Sequence, residues 1–409
     1  MFTALAQSAA AGLTQEIPPV LDRQIKAKSL VNETTALRPI DSKVTFTEPR
    51  PRLDNRSTEK KEISTNQLQA KKSSKLLIVV DTILTFVFIG PLVSIYWYST
   101  WALCDYYIFR SNLEASYWTS FTVGCTVIAI ATLLQDEIVI FSDNRRKPFR
   151  YILMRVFTYI LSVASVSQWR GVWDLEDYYT GISSVNAALT YISVTVVLIC
   201  LRGQRSALCS PTTLCVDVRP ADHYKLATFW NIPPGPSLKF VLDTLCTAFV
   251  IEPLTISVWR GLWELIDCQV YHDDEKMRIV VCMVGYLGTA FIVSLLQVPI
   301  QRLAAYLENV NWYLMLAFEN LITALYVALS VTSWRGFWLV FEQYAPRQPG
   351  YLWLYHYLSF GILVAGLAAN SAMTQVSPRD GSLPDGQGAT LELSYTARII
   401  SAWRSKTDF

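Results

Sequence analysis

The chain has 409 residues, 52% of them hydrophobic and 17% charged, with a formal net charge of +2. Mean hydropathy is positive. That balance argues against an ordinary soluble globular protein, and no nucleic-acid partner is expected of it. The average hides a sharp split along the chain. Residues 1–75 are polar and punctuated by proline, with basic pairs at Lys60-Lys61 and Lys71-Lys72. Such a segment cannot bury enough apolar surface to offset its ordering entropy, so it reads as a disordered cytosolic tail. Its first residues lack the basic start and apolar core of a cleaved signal peptide.

From residue 76 onward, apolar runs of bilayer-spanning length dominate. A bilayer core needs roughly 20 apolar residues per helix. The predicted spans are 76–101, 116–135, 150–173, 180–201, 238–263, 277–298, 313–338 and 351–371. The expected fold class is therefore an all-α polytopic membrane protein of eight transmembrane helices. It divides into a first four-helix membrane repeat (76–201), a cytosolic linker (202–237), a second four-helix repeat (238–371) and a cytosolic C-terminal tail (372–409).

Basic residues orient the bundle. Loops after the even spans carry Arg145, Arg146, Lys147 and Arg150, then Arg202, Arg205, Arg219, Lys225 and Lys239, then Arg302. Loops after the odd spans carry Glu114, then Asp174, Glu176 and Asp177, then Asp273, Asp274 and Glu275. The positive-inside rule then puts both termini and the even loops in the cytosol. The sequons at Asn32 and Asn55 fall in the cytosolic tail and should be unused.

Each odd span ends in Trp-x-x-x-Trp: Trp97 and Trp101, Trp169 and Trp173, Trp259 and Trp263, Trp334 and Trp338. Three copies read Trp-Arg-Gly-x-Trp, with Arg170, Arg260 and Arg335, whereas Tyr98 takes the arginine position in the first. An offset of 162 aligns Asp81-Thr82 with Asp243-Thr244, Pro91-Leu92 with Pro253-Leu254, and Asp105 with Asp267. An offset of 165 aligns Trp169-Arg170-Gly171 with Trp334-Arg335-Gly336. Recurrence at one register implies internal duplication, with two parallel repeats about an axis along the membrane normal. The mid-span prolines of the first and fifth spans should bend them.

Two readings of the motif stay open. The indoles can be interface anchors at the outer headgroup boundary, with each arginine snorkelling beside a local acid. Alternatively, Arg170, Arg260 and Arg335 ring an outer vestibule for anionic groups or a partner's acidic loop. The glycine after each arginine favours close helix packing. Gly361, Ala365 and Ala369 give the last span a small-residue face, expected to lie inside the bundle.

Intramembrane ionisable residues default to a functional hypothesis. Glu252, beside Pro253 and equivalent to Gly90, suits a proton- or cation-coupled transporter, or a buried acid bonded to a neighbouring helix. Asp81 and Asp243 are shallower and read as ties between helix ends; Glu319 and Arg155 complete the set. Cys104 and Cys268 are either an extracellular disulfide or two free thiols. The linker's basic residues either touch anionic lipid or are solvated. The three histidines, His223, His272 and His356, form no metal-ligand pair and no nucleophile–base set. No enzyme, cofactor or metal is expected.

With its eight spans, basic tail and the runs Trp169-Arg170-Gly171-Val172-Trp173-Asp174, Trp259-Arg260-Gly261-Leu262-Trp263-Glu264 and Trp334-Arg335-Gly336-Phe337-Trp338, the chain resembles the fuseless family of invertebrate eight-pass membrane proteins. The resemblance covers about residues 76–371. It implies a multi-pass plasma-membrane protein of the presynaptic terminal, organising or regulating voltage-gated calcium channels and neurotransmitter release. The partners it implies, beyond the lipid bilayer, are those channels or scaffold proteins. The alternative is a transporter or channel for a small solute or ion, through a path between the two repeats.

Overall fold

The computed structural model describes residues 80–210, 212–213, 215–217, 223–373 and 395–404. The readings made for the N-terminal tail, the sequons and most of the C-terminal tail lie outside the described residues. So does the start of the first predicted span.

The described residues form ten longer helices and two short 3₁₀ helices, with no strand among them. The ten longer helices are α1 Val80–Tyr107, α2 Leu113–Leu133, α3 Gln135–Asp143, α4 Lys147–Thr180, α5 Ser184–Leu201, α6 Leu238–Gln269, α7 Glu275–Val310, α8 Trp312–Tyr344, α9 Pro349–Ala365 and α10 Tyr395–Arg404. Starts are set by local chemistry. The side chains of Asn112, Ser183, Ser237, Asp274 and Asn311 each accept a first-turn backbone N–H, and Pro148 and Pro349 sit in first turns that need no N–H. Six helices (α1, α2, α4, α5, α6 and α8) are long and apolar enough to cross a bilayer. A seventh joins them if α7, bent by 57° between Ile292 and Leu295, is one span. Helix α9 has 17 residues, short of the predicted 351–371, because Gly366 and a left-handed Leu367 end it.

The inner layer is a ring of α1, α4, α6 and α8, each packed on the next and the last on the first. Every inner helix carries one outer helix: α2 lies on α4, α5 on α6, α7 on α8, and α9 on α1. The outward faces are apolar and exposed, as with Val185, Leu189, Ile192 and Val196 of α5. Water would not tolerate that much contiguous apolar surface, but lipid does. Gly361 and Ala365 belong to this exposed surface, so the small-residue face of α9 points outward, contrary to expectation. Ala369, beyond the helix, is buried.

The mid-span prolines do not break their helices. Pro91 follows a π-helical turn, Leu84–Ile89, and Pro253 follows another, Thr247–Ile251. In each, the N–H before the proline reaches five residues back, Gly90 to Thr85 and Glu252 to Thr247. The wider turn moves backbone carbonyls clear of the pyrrolidine ring and absorbs its missing donor. A bend of 57° lies in α7, a turn before its internal Pro299.

The linker is not the solvated loop expected. After α5, a left-handed Arg202 turns the chain back into the bundle, where Gly203, Gln204, Ser206, Ala207, Leu208 and Ser210 are buried. After α9, Leu367 does the same, and the short helix Ala369–Ala372 is buried too. Both inserted segments begin with one left-handed residue and continue as a 3₁₀ turn.

Candidate functional site

The four inner helices bring all eight motif tryptophans to the axis of the ring. Trp97, Trp169, Trp259 and Trp334 form a closed lower tetrad with adjacent ring centroids 5.2–5.8 Å apart and planes at 78–90°. One turn on, Trp101, Trp173, Trp263 and Trp338 form an upper tetrad at 5.4–6.0 Å and 84–88°. Edge-to-face stacking directs the positive rim of each indole at the negative face of the next, and it repeats around both rings. The reading of these residues as headgroup anchors is thereby corrected. A helix face carrying two indoles is as apolar toward a neighbouring helix as toward lipid, and here four such faces satisfy one another.

The lower indoles use their N–H groups to hold the inserted segments. Trp259 donates to the Ala207 carbonyl at 2.8 Å, Trp97 to Ala372 at 2.9 Å and Trp334 to Ser210 at 2.6 Å. Those carbonyls would otherwise be buried without donors. The inserted segments are also clipped to each other. Asp217, buried, pairs with Arg155 and accepts the backbone N–H of Ala369 and Asn370, both at 3.0 Å. His223 donates from Nε2 to the Met154 carbonyl at 3.0 Å while Nδ1 faces the Asn370 amide nitrogen at 3.4 Å. Burial holds His223 below the ordinary histidine range, partly countered by Asp217.

Continuing the tryptophan spacing one further turn reaches an acid in every inner helix: Asp105, Asp177, Asp267 and Glu342. The sequence reading stopped at the second tryptophan and missed this set; the same spacing would have found it. Each motif arginine crosses to the acid of the preceding inner helix. Arg170 reaches Asp105 at 2.7 Å, Arg260 reaches Asp177 at 2.6 Å and Arg335 reaches Asp267 at 2.6 Å. Where Tyr98 replaces the fourth arginine, Arg347 sits 3.5 Å from Glu342. Asp174 lies 3.5 Å from Arg170, and Glu176 3.6 Å from Arg260. The arginines are thus buried staples between neighbours, not an open basic vestibule. The glycine after each lets the outer helix in: a Cβ on Gly171 would meet the Phe121 backbone at 2.3 Å, and one on Gly261 the Tyr191 backbone nitrogen at 2.8 Å.

The tetrads enclose a cavity of about 250 Å³, also lined by Cys209, Arg335, Asp174, Asp267 and Glu342. Its acidic end is the accessible one. The three carboxylate side chains are 17%, 23% and 30% exposed, whereas the lower indoles are at most 6%. Cys209 and the inserted carbonyls close the other end.

The remaining predicted residues do not converge here. Glu252 is buried against Gln168, whose amide nitrogen bonds the Ala248 carbonyl, and it does not line the cavity. Asp243 accepts from Thr228, Trp230 and Ile232 of the linker, and Asp81 from the Thr396 backbone at the start of α10. Both acids tie the chain that follows an outer helix to an inner one. Cys104 and Cys268 are free thiols, Cys104 buried, so the disulfide alternative is set aside.

A family model described as Fuseless matches residues 76–373. The chain belongs to the Fuseless family. The match runs from the start of α1 through the second inserted segment, so both tetrads, the staples and the floor of the cavity lie inside the Fuseless region. No curated protein and no solved structure matches the chain.

Proposed function

We propose that this Fuseless-family chain is an eight-span plasma-membrane protein of the presynaptic terminal that organises or regulates voltage-gated calcium channels, and through them neurotransmitter release. In this reading both termini are cytosolic, and the tryptophan ends of the inner helices face outside. The two halves are parallel repeats. Support for the repeats comes from the paired π-turns, the paired left-handed residues Arg202 and Leu367, and the matched bonds Trp259 to Ala207 and Trp97 to Ala372.

The observation that carries organisation over transport is the sealed floor. Three lower indoles are bonded to inserted backbone, and Glu252 is not among the residues lining the cavity. The cavity itself favours the alternative, a transporter or channel for a small solute, but only as far as entry. Deleting residues 1–75 tests the organising role, because it spares every described helix. The expected result, in neurons lacking the endogenous protein, is loss of calcium-channel clustering at normal surface abundance. Intact clustering would reject organisation through that tail.

A further inference from the structure

The cavity at the ring axis is a ligand site in its own right, and its walls specify a chemistry. Two indole tetrads line a narrow space. Adjacent centroids 5.2–6.0 Å apart put the axis about 4 Å from each ring, inside the roughly 6 Å over which an aromatic face attracts a cation. Three lower N–H donors are already spent on inserted carbonyls, so this tetrad has few donors to offer an anion. The accessible end is lined by three carboxylates and the Arg335 guanidinium, with Arg170, Arg278 and Arg347 pairing with those acids from behind.

Compensation there is uneven: Asp267 also has Arg278 at 3.4 Å and Glu342 also has Arg347 at 3.5 Å, whereas Asp174 has a single arginine. Arg335 already holds Asp267 at 2.6 Å and Glu342 at 3.3 Å. Asp174 has only the longer contact with Arg170, whose Nε sits closer to Asp105. The cage also shows what it does with a cation: the Arg335 guanidinium lies 5.1 Å over the Trp263 ring. A hydrated metal ion would gain little from indoles and would lose its water, whereas an alkylated ammonium is weakly hydrated and matches an apolar wall.

We propose that the tryptophan cage binds an organic ammonium ion of the trimethylammonium type, with the cationic head against the upper tetrad and Asp174, the least compensated of the carboxylates, as its counter-group. The head can come from a free solute or from a choline lipid reaching the acidic mouth. The proposal does not depend on the calcium-channel reading.

The full chain in nanodiscs of phosphatidylglycerol alone is titrated with choline and, separately, with its neutral isostere 3,3-dimethyl-1-butanol. Tryptophan fluorescence and calorimetry report binding. Choline is expected to bind saturably and the isostere at least about tenfold more weakly. Asp174→Asn should weaken choline about tenfold with an unchanged melting temperature. Asp143→Asn, on the exposed Arg150 pair far from the cage, should change nothing. Trp338→Leu should abolish binding; if it fails to fold, the isostere and Asp174→Asn arms stand alone. Repeating the titration in phosphatidylcholine discs separates the sources: weakened choline binding means the lipid headgroup occupies the cage, unchanged binding means a free solute. Equal binding of the isostere, no saturable choline binding in phosphatidylglycerol discs, or full affinity in Asp174→Asn would overturn the proposal.

Discussion

Arg260 is only 1% exposed and holds two acids that keep about a quarter of their surface. Removing its guanidinium leaves Asp177 and Glu176 facing each other without a counter-charge. Because both acids retain some solvent, Arg260→Gln should cost roughly 2–3 kcal/mol, less than a fully buried broken pair. Thermal unfolding in detergent measures this, and Arg260→Lys should recover only part, since a lysine ammonium is a compact point charge without the planar fork that meets both carboxylates. Trp259→Phe keeps most of the ring packing but strands the Ala207 carbonyl, for a loss of about 1–2 kcal/mol. His223 adds a pH dependence. Its folded pKa is depressed from 6.5 by burial, so the unfolded or undocked segment takes up a proton that the docked form resists. Docking is therefore strongest above pH 6.5 and weakens as pH falls. Hydrogen exchange of residues 215–217 and 366–373 should accelerate between neutral pH and about pH 5, and His223→Gln should flatten that response.

Among the elements, the three motif glycines differ in what surrounds them. Gly171 and Gly261 meet backbone of the outer helix, at 2.3 Å and 2.8 Å, whereas Gly336 meets the Met283 sulfur at 2.9 Å. Backbone cannot move aside and a methionine tip can. Gly171→Ala and Gly261→Ala should therefore destabilise by several kcal/mol, and Gly336→Ala by about 1 kcal/mol, as read from expression and melting temperature. Those glycines were legible in the sequence, as were the helices and the recurring tryptophans, because hydropathy and spacing are local. The direction of the indoles was not, since an amphipathic ring suits a headgroup boundary and a protein axis equally. The inserted segments were hidden for a different reason. Arg202, Gln204, Arg205, Ser206 and Ser210 read as a solvated linker, and only the distant Trp259 and Trp334 donors make their burial tolerable. The π-turns were equally silent: Pro91 and Pro253 announce a missing donor, but the chain can answer with a kink or with a wider turn.

At the scale of the described bundle, a cavity that opens at its acidic end rests on indole-bound inserted backbone. A cage that admits a cation yet has inserted backbone beneath it should hold that cation without passing it. Proteoliposomes containing the purified chain are accordingly expected to bind choline but to show no choline flux above protein-free vesicles, with Glu252→Gln making no difference. Sustained flux abolished by Glu252→Gln would place the chain among transporters and retire the organising role.

The circular order of packing has a bearing on biosynthesis. Helix α1 rests on α9, the last outer helix of the Fuseless region, and α5 rests on α6 across the linker, so neither half encloses its own partners. As the ribosome releases the chain, α1 waits unpaired on that flank until α9 has been translated more than 240 residues later. A chain truncated anywhere before Pro349 would leave α1 without its outer helix, and quality control rather than loss of a binding residue would decide its fate.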